Sequence, residues 1–323
     1  MQRKSMQDEI AILSSIDHPH LIKFHEYYRD ESAEISYQVL EYCDGGDMFD
    51  LLYSRMHRDE HLSEKDIKAY LVQMLRGASY MHNDAGEAGR APIVHRDLKV
   101  ENLLLKRGKL VIGDLGLAKQ IQPRSRISEK LGPRTHPCWA PEICAGNSYD
   151  TAIDVWAIGC IVFQLATFEV PFDEGVRTAG FPDYSSPAIT EGDYSDDLTS
   201  LLKRILVKKA AWRPTCAQVL EAPELVIAGE QVDNLVQRIE LEDTKRMILE
   251  QQAENDRVKA ENARVKAENN RVKAENAGLR KMLEKAGKLP DPIKRELSTC
   301  EEVKEHKRPK VNEEQAVEGM LNL

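Results

Sequence analysis

Apolar residues recur at Met6, Ile10 and Leu13, so the stretch from Met1 to Ile16 predicts a helix with one buried face. His18-Pro19 stops it, because the residue before a proline is pushed out of helical backbone. Two short strand-like runs follow, Leu21 to Tyr28 and Ile35 to Leu40, separated by a polar turn. Cys43-Asp44-Gly45-Gly46 reads as another turn. From Asp47 to about Glu221 the spacing is mostly helical, as in Glu64 to His82, Asp154 to Phe168 and Asp196 to Leu206. Short strand runs at Leu103 to Leu105 and Leu110 to Ile112 interrupt it. A few strands followed by many helices is the order of an α+β domain.

Past about Glu230 the character changes. Aromatic residues vanish, and Arg-Val-Lys-Ala-Glu-Asn recurs from Arg257, Arg264 and Arg271. A seven-residue frame places Leu241, Ile248, Asn255, Asn262, Asn269, Asn276 and Leu283 at a, and Val258, Val265, Val272 and Leu279 among the d positions. In a parallel dimer, Glu254, Glu261 and Glu268 at g meet Lys259, Lys266 and Lys273 at e of the partner chain. A coiled-coil homodimer is the expectation, with a solitary charged helix as the alternative. The stretch 287–323, rich in Pro, Lys and Glu, is expected to be disordered. Its Lys304 to Lys310 cluster has the composition of a nuclear import signal.

Composition narrows the function classes. The net charge of -9 argues against a nucleic-acid partner, which needs a basic face. The six cysteines are scattered without a C-x-x-C pair, which fits reduced thiols in the cytoplasm or nucleus. MQRKSMQDEI lacks the apolar core of a signal peptide, and no run of about 18 apolar residues suggests a membrane span.

The chemistry is concentrated in Val94-His95-Arg96-Asp97-Leu98-Lys99-Val100-Glu101-Asn102. Phosphoryl transfer needs a carboxylate to orient the attacking hydroxyl and take its proton, oxygen ligands for Mg²⁺, and cations near the migrating group. Gly113-Asp114-Leu115-Gly116, Trp139-Ala140-Pro141-Glu142, Asp154-Val155-Trp156-Ala157-Ile158-Gly159 and Trp212-Arg213-Pro214-Thr215 follow in order. Together these segments resemble the H-R-D, D-F-G, A-P-E, D-V-W and R-P-[ST] motifs of the eukaryotic protein kinase superfamily. The likeness covers residues 5 to 222, with Leu115 in place of Phe and Ala157 in place of Ser.

The resemblance implies a kinase-like fold with a truncated small lobe, a mostly helical large lobe and the C-terminal coiled-coil helix behind it. It implies that Asp97 is the base, that Lys99 contacts the γ-phosphate, and that Asn102 and Asp114 hold Mg²⁺. It further implies that Glu9 is the ion-pairing glutamate of the C helix and Leu40 the gatekeeper. The backbone of Glu41 and Cys43 would bind the adenine of ATP, and Asp47 its ribose. Glu142 would pair with Arg213, and Asp154 would anchor the catalytic loop. Arg96 beside Asp97 suggests a clamp for a phosphate on Ser125 or Ser128. Thr135 stands five residues before Ala140, where the family carries its P+1-loop threonine.

The sequence begins at the C helix, with no G-x-G-x-x-G and no V-A-I-K lysine, and Lys4 on the same helix cannot replace it. Two accounts stand: an N-terminally incomplete version of a full kinase, or a product that works without tight ATP binding. Lys99 two residues after Asp97 is the serine/threonine pattern, so protein substrates are expected. Glu41-Tyr42-Cys43-Asp44-Gly45-Gly46-Asp47-Met48 resembles NIMA-related kinases, whereas Pro92 to Asn102 resembles the numb-associated group. The expected organisation is a kinase domain over 1–222, a linker over 223–240, a coiled coil over 241–286 and a tail over 287–323. The rival to a serine/threonine kinase is a non-catalytic, pseudokinase-like dimerising scaffold.

Overall fold

A computed structural model describes residues 2–30, 35–129, 136–178, 181, 184–189 and 194–285. The chain divides into two units, Met1–Thr244 and Lys245–Leu323. The first unit opens with helix α1 (Gln2–Ser15), which buries Ile12 and Leu13. Strands β1 (Phe24–Asp30) and β2 (Ile35–Leu40) form an antiparallel pair with a bulge between Phe24 and Glu26. Helix α2 (Met48–Met56) follows, then α3 (Glu64–His82).

The bounds of α3 follow from its residues. Ser63 caps it by accepting the Asp66 N–H at 3.1 Å, and Glu64 and Asp66 place negative charge on the first turn. Ile67, Leu71, Met74, Leu75, Ala78 and Met81 form its buried face. Asn83 ends it in left-handed backbone at φ 54°.

Two short antiparallel pairs carry the loops that matter. Strand β3 (Ile93–Val94) pairs with β6 (Lys119–Gln120), and β4 (Leu103–Lys106) pairs with β5 (Lys109–Ile112). Helices α4 (Pro141–Cys144), α5 (Ala152–Thr167), α6 (Glu174–Thr178), α7 (Asp196–Ile205) and α8 (Cys216–Leu220) complete the packed part. Helix α5 is apolar nearly all round and lies at the centre, against α3 and α7. A Cβ at its Gly159 would lie 2.8 Å from Ile205 and Leu206 side chains, so only glycine permits this approach of α5 to α7.

Helix α9 (Val226–Lys285) starts directly after a short turn at Pro223–Leu225. The linker expected over 223–240 is therefore that turn and the first turns of α9. Ala228, Val232 and Ile239 are buried, and Arg76 of α3 holds Asp233 at 2.6 Å. In the second unit every described side chain from Lys245 onward is exposed. Ion pairs such as Arg257–Glu254 and Arg271–Glu275 run along its surface. Among the described residues, no helix is long and apolar enough to cross a membrane. The expected tail and its basic cluster lie outside the described residues, as does Thr135.

Candidate active site

The loop after β3 is shaped from beneath by one carboxylate. Asp154, on the first turn of α5 and 1% exposed, accepts the His95 N–H at 2.8 Å, the Arg96 N–H at 3.0 Å and the His82 Nε2–H at 2.8 Å. Arg96 needs this support because its φ is 70°, which few side chains adopt unaided. Burial alone would raise the Asp154 pKa, but the bond from His82 and the charges around it hold it below the ordinary value. Burial opposes charge on His82, yet contact with Cys216 and Asp154 pushes its pKa up to about 10. Burial pushes the Cys216 thiol up as well.

His95 locks the loop to the next segment. Its Nε2–H donates to the Gly113 carbonyl at 2.9 Å, and its Nδ1 accepts the Asp97 N–H at 3.3 Å. Asp97 is thereby presented with its two oxygens in different surroundings. Oδ2 pairs with Lys99 Nζ at 3.0 Å and accepts from Asn102 Nδ2 at 3.1 Å. Oδ1 faces His136 Nε2 at 3.7 Å. Asn102 also donates to the Asp97 carbonyl at 2.7 Å, so its amide N–H groups are used and its Oδ1 is left as an acceptor. The Gly113 N–H donates to the Asn102 carbonyl at 2.8 Å, which ties Asp114 to the same loop. Asp114 is exposed in left-handed backbone at φ 51°, with one oxygen accepting the Gly116 N–H, while Leu115 is buried. An amide oxygen and a carboxylate are hard oxygen donors, which fit Mg²⁺.

On the other side, α1 packs against the Leu115–Leu117 turn, and a Cβ at Gly116 would lie 3.8 Å from Glu9 Oε2. Among the described residues no cation pairs with Glu9. Glu41 donates its backbone N–H to Lys23 O at 2.9 Å, and its carboxylate holds Lys106 at 2.6 Å. Burial, then the Glu41 charge, pushes the Cys43 thiol up to about 11. Asp47 spends Oδ1 capping α2, accepting the Asp50 N–H at 2.8 Å. Leu40 is 37% exposed.

Arg213 and Glu142 meet as expected, with Nη1 to Oε1 at 2.8 Å and Nη2 to Oε2 at 3.2 Å. The guanidinium is fully buried and also donates to the Val207, Ala152 and Lys208 carbonyls. Residues 1–224 match the family described as Protein kinase domain. The chain belongs to the protein kinase family. The serine/threonine-protein kinase Nek9 of Mus musculus is 28% identical over 73% of this chain and 23% of its own length. Nek9 of Xenopus laevis is 30% identical over 69% of the chain and 23% of its own, and human Nek11 is 29% identical over 71% and 34%. The chain thus spans no more than about a third of these curated relatives, the largest share being 34%.

Two features of this kinase site escape its motifs. The Arg96 clamp is filled by Glu129, whose Oε2 lies 3.2 Å from Arg96 Nη1 and 2.6 Å from Lys119 Nζ. Lys119 and then Arg96 hold the Glu129 carboxyl below its ordinary range. Ser125 and Ser128 are exposed nearby in sequence, so an acid already stands where a phosphate was expected. The second feature is His136, next to Thr135 in sequence and beside Asp97 in space. Only the unusual run Arg134-Thr135-His136-Pro137 marked that segment.

Proposed function

We propose that the chain transfers the γ-phosphoryl group of ATP to Ser or Thr hydroxyls of protein substrates. The observation that carries this reading is the asymmetry of Asp97: Oδ2 is occupied by Lys99 and Asn102, and Oδ1 is left to accept a proton. In the reaction the hydroxyl oxygen bonds to the γ-phosphorus, the bond to the ADP oxygen breaks, and the hydroxyl proton passes to Asp97 Oδ1. Lys99, beside that carboxylate, offers positive charge to the moving group. Asn102 Oδ1 and the free oxygen of Asp114 would hold Mg²⁺, which neutralises charge on the phosphates. The Glu41 carbonyl and the Cys43 backbone would receive adenine, Asp47 the ribose, and Glu9 would orient a phosphate-binding cation. The names of the Nek relatives support a Ser/Thr preference. The described cysteines are all free thiols, which suits a reducing compartment, cytoplasm or nucleus.

Asp97→Asn should cut the rate of peptide phosphorylation by about 10²–10⁴-fold while leaving Mg-ATP affinity near wild type. Radiolabelled phosphoryl transfer to a Ser/Thr peptide mixture, with ATP titrated by calorimetry, reads both quantities. Equal rates for the two proteins would sink the assignment and leave a non-catalytic scaffold.

The second unit favours an added role as a homodimerising helix. Val258, Val265, Val272 and Leu279 share one stripe and are 48%, 52%, 45% and 57% exposed, flanked by the g and e charges that match between parallel copies. Sedimentation of the full chain and of a Val265→Lys/Val272→Lys variant checks this. Loss of the dimer in the variant is expected; a monomeric wild type at about 100 µM, well above a micromolar association, rules the dimer out.

A further inference from the structure

Among the described residues, His136 is the ring facing Asp97 that none of the kinase motifs explains. It is 9% exposed, and its two nitrogens have different fates. Nδ1 accepts the Cys138 backbone N–H at 3.0 Å. A backbone N–H can only donate, so Nδ1 carries no proton. Burial, with Asp97 opposing and Lys99 and Arg177 assisting, lowers the ring's pKa to about 4. The neutral ring therefore keeps its single proton on Nε2. That N–H is buried and has no hydrogen-bond partner among the described residues. A buried donor left unpaired costs about 1–3 kcal/mol, so its retention calls for a partner that comes and goes.

The geometry supplies one. Nε2 lies 3.7 Å from Asp97 Oδ1, the oxygen that Lys99 and Asn102 leave open. The gap is too long for a direct hydrogen bond, which peaks at about 2.9 Å. Nε2 is closed to solvent, so a hydroxyl oxygen enters only as the ring turns toward it; it then stands about 2.7 Å from Oδ1 and about 2.9 Å from Nε2, donating to the first and accepting from the second. We infer that His136 is a substrate-positioning residue whose Nε2–H binds the oxygen of the acceptor Ser or Thr while Asp97 takes that oxygen's proton. The inference rests on the phosphoryl-transfer reading above and deepens it. With one lone pair on His136 and the O–H on Asp97, the other lone pair is aimed at the γ-phosphorus. A water molecule lacks the side-chain tether that would keep it there, so the contact favours peptide hydroxyls over hydrolysis.

Two substitutions separate this role from a merely structural one. His136→Asn keeps an acceptor near the Nδ1 position for the Cys138 N–H and removes the Nε2 donor. His136→Gln keeps a donor near Nε2 and gives up the Nδ1 acceptor. The full chain and both variants are compared by peptide kcat, peptide KM, ATP KM and thermal midpoint, with Asp97→Asn alongside. The expected result is a loss of about tenfold or more in peptide kcat for Asn, with ATP KM unchanged, and recovery to within a few fold of wild type for Gln. The opposite order, Asn active and Gln impaired, assigns His136 to holding the loop and overturns the inference, as does equal activity of all three. A wild type no faster than Asp97→Asn removes the kinase reading itself, and the inference with it. Should a variant fail to fold, the wild-type Nε2–H resonance decides: it should shift on adding a Ser peptide and not its Ala counterpart, and an identical response to both overturns the assignment.

Discussion

Trp156, Met74, Leu75 and Leu202 of the α3–α5–α7 core are fully buried, whereas Ile35, Tyr37 and Val39 of β2 are 46%, 49% and 42% exposed. Both regions carry apolar residues at regular spacing, every second residue in β2 and every third or fourth in the helices. The difference lies in layering. The core helices bury their apolar stripes against one another, each large side chain contributing roughly 1.5–3 kcal/mol. The β1–β2 pair turns its apolar row, including the stacked Tyr28 and Tyr37 rings, to a face that leaves those rings 59% and 49% exposed. Periodicity therefore tells which side chains share a face, but not whether a second layer lies on it. A lone pair of strands is marginal in water, so the folding free energy of this unit resides in its helices.

The largest test of that contrast removes the carboxylate from the buried Arg213. Glu142→Ala should cost about 3–5 kcal/mol, because the guanidinium keeps its burial and loses its counter-charge. Urea denaturation followed by tryptophan fluorescence measures it; a loss below about 1 kcal/mol would mean that the helical region is not the stable part.

Acid should act on the junction between the two regions. His18 stacks on Tyr80 of α3 at 5.0 Å, and the His20 Nδ1–H donates to Leu110 O at 3.0 Å. Burial, aided for both rings by Arg76 and Lys109, lowers each pKa from 6.5 to about 4. Between those values the unfolded chain binds more protons than the folded one, so stability falls as the pH drops through that window and is unaffected above it. Each ring contributes a slope of up to about 1.4 kcal/mol per pH unit. Amide exchange at pH 5 should quicken in α1 and the hairpin while α3 stays protected. Simultaneous loss in all three would erase the distinction between the regions.

The smallest expected effect is on the hairpin face. Tyr37→Ser should change stability by no more than about 0.5 kcal/mol, as for an ordinary surface site. A cost above about 2 kcal/mol would reveal that this face is covered in solution.

Helix α3 was legible to its last residue, because Ser63, the apolar repeat and the polar end all mark it locally. The Asp97, Lys99, Asn102 spacing and the Glu142–Arg213 pair were legible through family order. The placement of His136 and Glu129 was not, since it depends on the path of the chain between Leu117 and Ala140 rather than on any local period. The helical start of α9 had a visible signal, Ala228, Val232, Val236 and Ile239 at helical spacing, which the charged composition of the following repeats obscured.

Asp154 fixes Arg96 from 58 residues downstream, and Arg213 reaches Glu142 across 71. A ribosome adding roughly 5–20 residues per second needs about 3–12 s to cover the first of these distances. For that interval the nascent chain carries the loop around Asp97 without the carboxylate that holds Arg96 at positive φ. The order of synthesis thus makes the alignment of Asp97 a late event, and a chain interrupted before Asp154 emerges displays the motif residues in an unanchored loop.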